Sequence, residues 1–178
     1  MAAPQPGDFG LVNINGAAGT LIRIGQWLDG KGFRQYEHAF IVTEAETPEH
    51  PGMVGAIAAF PGGARHVLYP VDGPHMLYSS GHIPLTDEQR AAIVHWATYY
   101  LGTPYSAADY FAIAAHHLHL PGSALLKDYV ADTGHMICSQ LVDRCYQEAG
   151  VRLFADGRWP GFVVPADLAN LILTGGPR

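Results

Sequence analysis

Cysteine is scarce in this 178-residue chain: Cys138 and Cys145 are the only two. Both fall in a stretch that reads as one helix. Seven helical residues set their Cα atoms about 10.5 Å apart, beyond the roughly 7 Å a disulfide can span. A disulfide framework is excluded, and two free thiols are expected. Positive charge is also in short supply. Ten Lys and Arg stand against sixteen Asp and Glu, a formal charge of −6 with no basic cluster. That balance argues against nucleic acid or an anionic membrane surface as partner. Charge of either sign is missing between Arg90 and Asp109, but His95, Gly102 and Pro104 interrupt the run, so no transmembrane helix is expected. Met1–Asp8 lacks the charged and apolar regions of a signal peptide, which points to a cytoplasmic or virion-associated protein. No glycine-rich phosphate loop, Gly-x-Ser-x-Gly elbow, internal repeat or linker is present. What remains is a chain that is 48% hydrophobic, expected to form a single domain over 1–178.

The first half reads as short strands joined by tight turns. Phe9–Ile14 is a strand candidate closed by Asn15-Gly16, and Leu21–Leu28 keeps the spacing of a short helix. Tyr36–Val42 and Met53–Phe60 are strands by their β-branched, aromatic and apolar content, separated by a polar loop over 43–52. A period of two puts Tyr36, His38, Phe40 and Val42 on one face. A hairpin centred near His50 sets His38 roughly opposite Ala58. Shorter strands follow over His66–Val71 and His75–Tyr78. From Thr86 the pattern turns helical. Thr86-Asp-Glu-Gln89 is a capping box ahead of Ala91–Leu101, with Gly102 at the stop. Ala107–Leu118 reads as another helix, and Pro165 opens a last one that ends near Gly175. Strands first and helices after predict α+β, an antiparallel sheet or half-barrel packed on helices.

The chemistry centres on Cys138. Leu141, Val142, Cys145 and Ala149 share one side of its helix, and Gly150 stands at the helix stop. A thiol in the first turn faces unpaired N–H groups and the positive end of the macrodipole, and both favour the nucleophilic thiolate. The competing reading is an inert core thiol, since free cysteine is among the most buried residue types. A cysteine nucleophile needs a base, and histidine titrates near neutral pH. Of ten histidines, His38 alone interrupts an otherwise apolar strand, where an imidazole is costly without a partner. A core histidine bonded to a backbone carbonyl is the alternative. His116, His117 and His119 suggest a metal cluster. However, adjacent helical residues diverge by about 100°, so a polar helix edge is the better reading.

Four stretches taken in order resemble the circularly permuted branch of the NlpC/P60 superfamily of papain-like cysteine hydrolases. They are Gly7–Val12 continuing to Leu21–Gln26, then Glu37–Val42, then Leu101–Tyr105, and last Ile137–Val142 with the later Pro165–Leu168. The resemblance implies a permuted papain-like fold with Cys138 as nucleophile and His38 as general base. It also implies that Tyr105 and Ser139 contribute to the oxyanion or substrate site, and that no cofactor is needed. Family members carry a polar residue on the strand after the histidine, where it orients the ring. Here that position is Ala58, with His66 a weak substitute, and losing such a group can cost several orders of magnitude in a triad.

The expected activity is a cysteine amidase or peptidase working through a thioester acyl-enzyme on peptides of the cell-wall type. A phage tail or lysis machine could deliver it. Two alternatives stand beside it. One is lipid acyl transfer, as in the lecithin:retinol acyltransferase relatives. The other is a catalytically impaired structural or binding domain such as a phage tail component, which Ala58 favours.

Overall fold

A computed structural model describes residues 2–13, 36–60, 62–104, 137–155 and 163–174. Five strands come first: β1 (Phe9–Val12), β2 (His38–Glu44), β3 (Met53–Phe60), β4 (Gly63–Pro70) and β5 (Met76–Tyr78). Three helices follow: α1 (Asp87–Tyr99), α2 (Cys138–Glu148) and α3 (Pro165–Thr174). All pairings are antiparallel, in the order β4-β3-β2-β1-β5. The described fold is therefore α+β, as the succession of strands and helices predicts. The helices expected over 21–28 and 107–118 lie outside the described residues.

Alternation along the strands separates two apolar layers. Phe9, Leu11, Ala39, Ile41, Ile57 and Ala59 join Ile93 and Ala97 of α1 and Leu141, Val142 and Cys145 of α2 in the larger core. On the opposite face Phe40, Val42, Val54, Ala56 and Ala58 are fully buried against Phe60, Tyr69 and Tyr78. This explains why β2 and β3 read as nearly continuous apolar runs: they are covered on both sides.

The second face is enclosed because the sheet curls. The Tyr78 hydroxyl on edge strand β5 donates to the Pro70 carbonyl at the end of the other edge strand, β4, at 2.5 Å. Phe40 stands between them, stacked on Tyr69 at 3.8 Å and edge-on to Tyr78 at 5.8 Å. Gly10 is the register partner of both Phe40 and Tyr78. A Cβ at Gly10 would lie 2.2 Å from the tip of the Phe40 ring, so only glycine admits the aromatic cluster there.

The chain start is tied down by a buried carboxylate. Asp8 accepts from the Gln5 N–H, the Ser80 hydroxyl and the Arg90 guanidinium at 2.8–2.9 Å. Arg90 also donates to the Pro6 carbonyl, and the Tyr146 hydroxyl of α2 donates to the Gly7 carbonyl at 2.7 Å. The Gly-Asp pair that opens β1 thus links β1, β5, α1 and α2. The capping box at Thr86 and Gln89 forms with both of its reciprocal hydrogen bonds.

Candidate functional site

Cys138 is the first residue of α2. The residue before it, Ile137, occupies the N-cap with an extended backbone, and its side chain has no atom that can accept from the first turn. Gln140 reaches back instead, its carbonyl oxygen accepting from the Ile137 N–H at 3.0 Å. The whole first turn is driven into the interior: residues 138 to 143 are all buried, polar ones included. Ser139 is tied to the lead-in of α3, its hydroxyl donating to the Val163 carbonyl at 2.6 Å. There the Asp167 carboxylate accepts from the Val164 N–H at 3.1 Å and closes the start of α3, with Pro165 in its first turn. Ser139 and Pro165–Leu168 thus hold the cysteine turn in place. The Ser139 hydroxyl, expected at the oxyanion or substrate site, is engaged with this backbone carbonyl.

His38 is the first residue of β2, the strand against which α2 packs. Its side chain alternates onto the curled aromatic face with Phe40, and it is 3% exposed. Its ring lies 4.6 Å from Phe60 and 6.4 Å from Tyr69, centroid to centroid. Burial lowers its pKa to about 4, so the imidazole is neutral at pH 7. Among the described residues its buried Nε2 has no hydrogen-bond partner. A buried polar nitrogen left in this way costs on the order of 1–3 kcal/mol, and so marks a position that another group would complete.

The register corrects the expected neighbour of His38. Ile41 pairs with Ile57 and Val42 with Ala56, which sets Phe40 beside Ala58 and His38 two residues farther along, beside Phe60. Neither Ala58 nor Phe60 offers a polar atom, in keeping with the bare Nε2. His66 is no substitute. It pairs with Ile57, whose side chain belongs to the helix-side core, so it projects from the other face, where it is exposed.

Tyr69, on β4, was not singled out by sequence reasoning. Its ring neighbours His38, and its phenol is pushed well above the usual range by burial and then by the charge of Cys138. Arg65 caps the same corner, its guanidinium 4.7 Å from the Phe60 ring centre. The period-two pattern of β4 was legible, but the residues it faces are set by pairing across three strands.

Tyr105 lies outside the described residues, as do the histidines at 116, 117 and 119. The segment leading to Tyr105 is placed. Ala64 of β4 donates to the Thr103 carbonyl at 3.1 Å and accepts from the Gly102 N–H at 2.9 Å. Gly63 (φ +115°) lets this segment approach, since a Cβ there would lie 3.2 Å from the Thr103 oxygen.

No protein-family model matches this chain, and no curated protein is significantly similar to it. The second cysteine contrasts with the first. Cys145 sits in the helix-side core, where burial pushes its thiol well above the usual range, so it is inert near neutral pH. Among the described residues no group of three or more His, Cys, Asp or Glu could hold a metal ion. The chemistry available here is that of a helix-terminal thiol, a neutral imidazole and a phenol.

Proposed function

We propose that the chain is a thiol hydrolase in which Cys138 attacks an amide or ester carbonyl and His38 takes the thiol proton. The observation that carries this reading is the position of Cys138. It is the first residue of a buried helix turn whose N-cap side chain cannot accept, packed against the strand that bears a buried, neutral histidine. N–H groups at such a turn stabilise negative charge on the sulfur and on the oxygen of a tetrahedral intermediate. In the first step the Cys138 proton passes to the imidazole. The sulfur then bonds to the carbonyl carbon, and the amine or alcohol leaves with that proton. Water hydrolyses the thioester in the second step. With no partner for Nε2 among the described residues, the pair works as a dyad in this reading, and a slow enzyme is expected.

The order of motifs that resembles permuted NlpC/P60 hydrolases supports peptide substrates of the cell-wall type, with delivery by a phage tail or lysis machine as the matching context. Incubation with p-nitrophenyl esters followed by intact-protein mass spectrometry tests the chemistry. An acyl adduct on Cys138 is expected, lost in Cys138→Ala and slowed at least tenfold in His38→Ala. Labelling of Cys145 instead, or equal rates in His38→Ala, would sink the reading.

One second reading has an observation of its own. Cys138 is fully buried and no group among the described residues orients His38, which suits a domain kept for structure or binding after turnover was lost. Absence of any adduct in the folded protein would favour it.

A further inference from the structure

The two edges of the sheet differ. β5 is three residues long, whereas β4 runs for eight, paired with β3 from Met53 with Pro70 to Phe60 with Gly63 without a register shift. Two hydrogen bonds show which way the β4 backbone faces. The Ala64 N–H donates to the Thr103 carbonyl at 3.1 Å and the Ala64 carbonyl accepts from the Gly102 N–H at 2.9 Å, so Ala64 turns its polar backbone away from β3. Orientation alternates along an antiparallel strand, so His66, Leu68 and Pro70 also face outward, while Arg65, Val67 and Tyr69 bond to β3. Pro70 suits this place because it has no N–H to leave bare, and its carbonyl accepts from the Tyr78 hydroxyl. Both ends of the edge are thus closed. Between them, the N–H and C=O of His66 and of Leu68 make no hydrogen bond among the described residues.

Long edges are ordinarily guarded by a charge, a bulge, a proline or a covering segment. Between Arg65 and Pro70 no charged residue, bulge or proline is present, and the side chains leave the edge open. His66 and Leu68 are exposed, Leu68 at 42%, and Leu68 stands opposite Gly55, which has no side chain to cover it. The window admits three residues of an added strand, one each opposite Leu68, Val67 and His66. A second copy of β4 fits it poorly. The self-pairing that uses all four groups sets His66 against Leu68 and so brings Pro70 of the copy against Ala64, where Gly102 and Thr103 already lie. An extended peptide is free to diverge at that point. Its side chains are specified too. The residue opposite Leu68 meets an exposed aliphatic side chain, and the residue opposite Val67 points to the other face, beside Arg65. The Arg65 guanidinium rests on the Phe60 ring and has no carboxylate partner among the described residues, so an acidic side chain there complements it.

We propose that the outer edge of β4 docks an extended peptide as an additional antiparallel strand, through the backbone of His66 and Leu68. The peptide places an apolar residue opposite Leu68, followed by an acidic residue opposite Val67. Backbone hydrogen bonds supply the affinity and the alternating side chains the selectivity. The site is independent of the thiol chemistry at Cys138.

The probe is the acetylated and amidated peptide Thr-Val-Glu-Val-Thr, and the readout is amide hydrogen exchange of the isotope-labelled protein by NMR. In the free protein Val67 and Tyr69 should exchange slowly, and His66 and Leu68 quickly. Peptide at about ten times its Kd should slow His66 and Leu68 roughly tenfold. Leu68→Pro deletes one outward donor while sparing the bonds to β3, and should weaken binding roughly two- to tenfold. His66→Ala keeps the backbone and should change binding by less than about twofold. Arg65→Gln, or Gln in place of the peptide's Glu, should weaken it about two- to fivefold. Unchanged exchange at His66 and Leu68 under millimolar peptide would overturn the site, and this measurement needs no variant. Protection that rises with protein concentration in the absence of peptide would overturn it in favour of a second copy. A folded Leu68→Pro that binds like wild type would place the peptide elsewhere, and equal binding of the Gln peptide would overturn the acidic preference.

Discussion

Gly10→Ala is the sharpest test of how the aromatic face is built. Gly10 is in register with Phe40 on one side and Tyr78 on the other. A Cβ there would stand 2.2, 2.5 and 2.9 Å from three carbons of the Phe40 ring, where carbon atoms ordinarily rest about 3.5–4.0 Å apart. The ring would have to withdraw by more than about 1 Å. It has little room, because Tyr69 is stacked on it and Tyr78 meets it edge-on. Over-packing of this kind costs about 1–3 kcal/mol, and a conflict this deep belongs at the upper end. For a domain of this size, about 3 kcal/mol corresponds to a fall of roughly 6–12 °C in melting temperature. Phe40→Leu removes the ring tip, so in that background Gly10→Ala should cost less than about 1 kcal/mol. Urea unfolding of the four proteins closes the cycle, with an expected coupling of about 2 kcal/mol. If Gly10→Ala cost the same in both backgrounds, its effect would lie in the strand backbone, and the steric argument would be refuted.

The buried imidazole makes a prediction about pH. Held at about 4 in the fold against 6.5 unfolded, His38 leaves the unfolded chain binding the extra proton between those values. Stability is then complete above pH 6.5 and declines by about 3 kcal/mol as pH falls to 4. His38→Leu should flatten that slope in urea midpoints measured across the window; an unchanged slope would assign it to other groups. At the chain start, Arg90→Met leaves the Asp8 carboxylate, 1% exposed, without its cation, and should cost about 2–4 kcal/mol in urea unfolding. A loss under roughly 0.5 kcal/mol would show that the ion pair does not anchor β1.

Local chemistry was sufficient for much of the fold. β3 runs over Met53–Phe60 and α3 begins at Pro165, as apolar content and proline chemistry predict. The α1 cap at Thr86 and Gln89 and the start of α2 at Cys138 were equally legible, because capping and helical periodicity act within a few residues. The strand bearing His38 was recognised by composition, and the period of two placed its side chain correctly with Phe40. Strand ends were less legible. β4 starts at Gly63, three residues before the expected His66, since its first residues are defined by pairing with the end of β3 and by docking of Gly102 and Thr103.

The residues surrounding Cys138 and His38 were decided only by tertiary structure. Whether Ala58 or Phe60 stands beside His38 depends on strand register, and a shift of two residues leaves every side chain on its original face, so periodicity is blind to it. That Tyr69 of β4 meets His38 of β2 across an intervening strand depends on the curl of the sheet, to which the Tyr78–Pro70 hydrogen bond and the side chain missing from Gly10 contribute. These are contacts between residues distant in the chain. Sequence determined which residue types were available for thiol chemistry and on which elements they ride; the register and curvature of the sheet determined which of them meet.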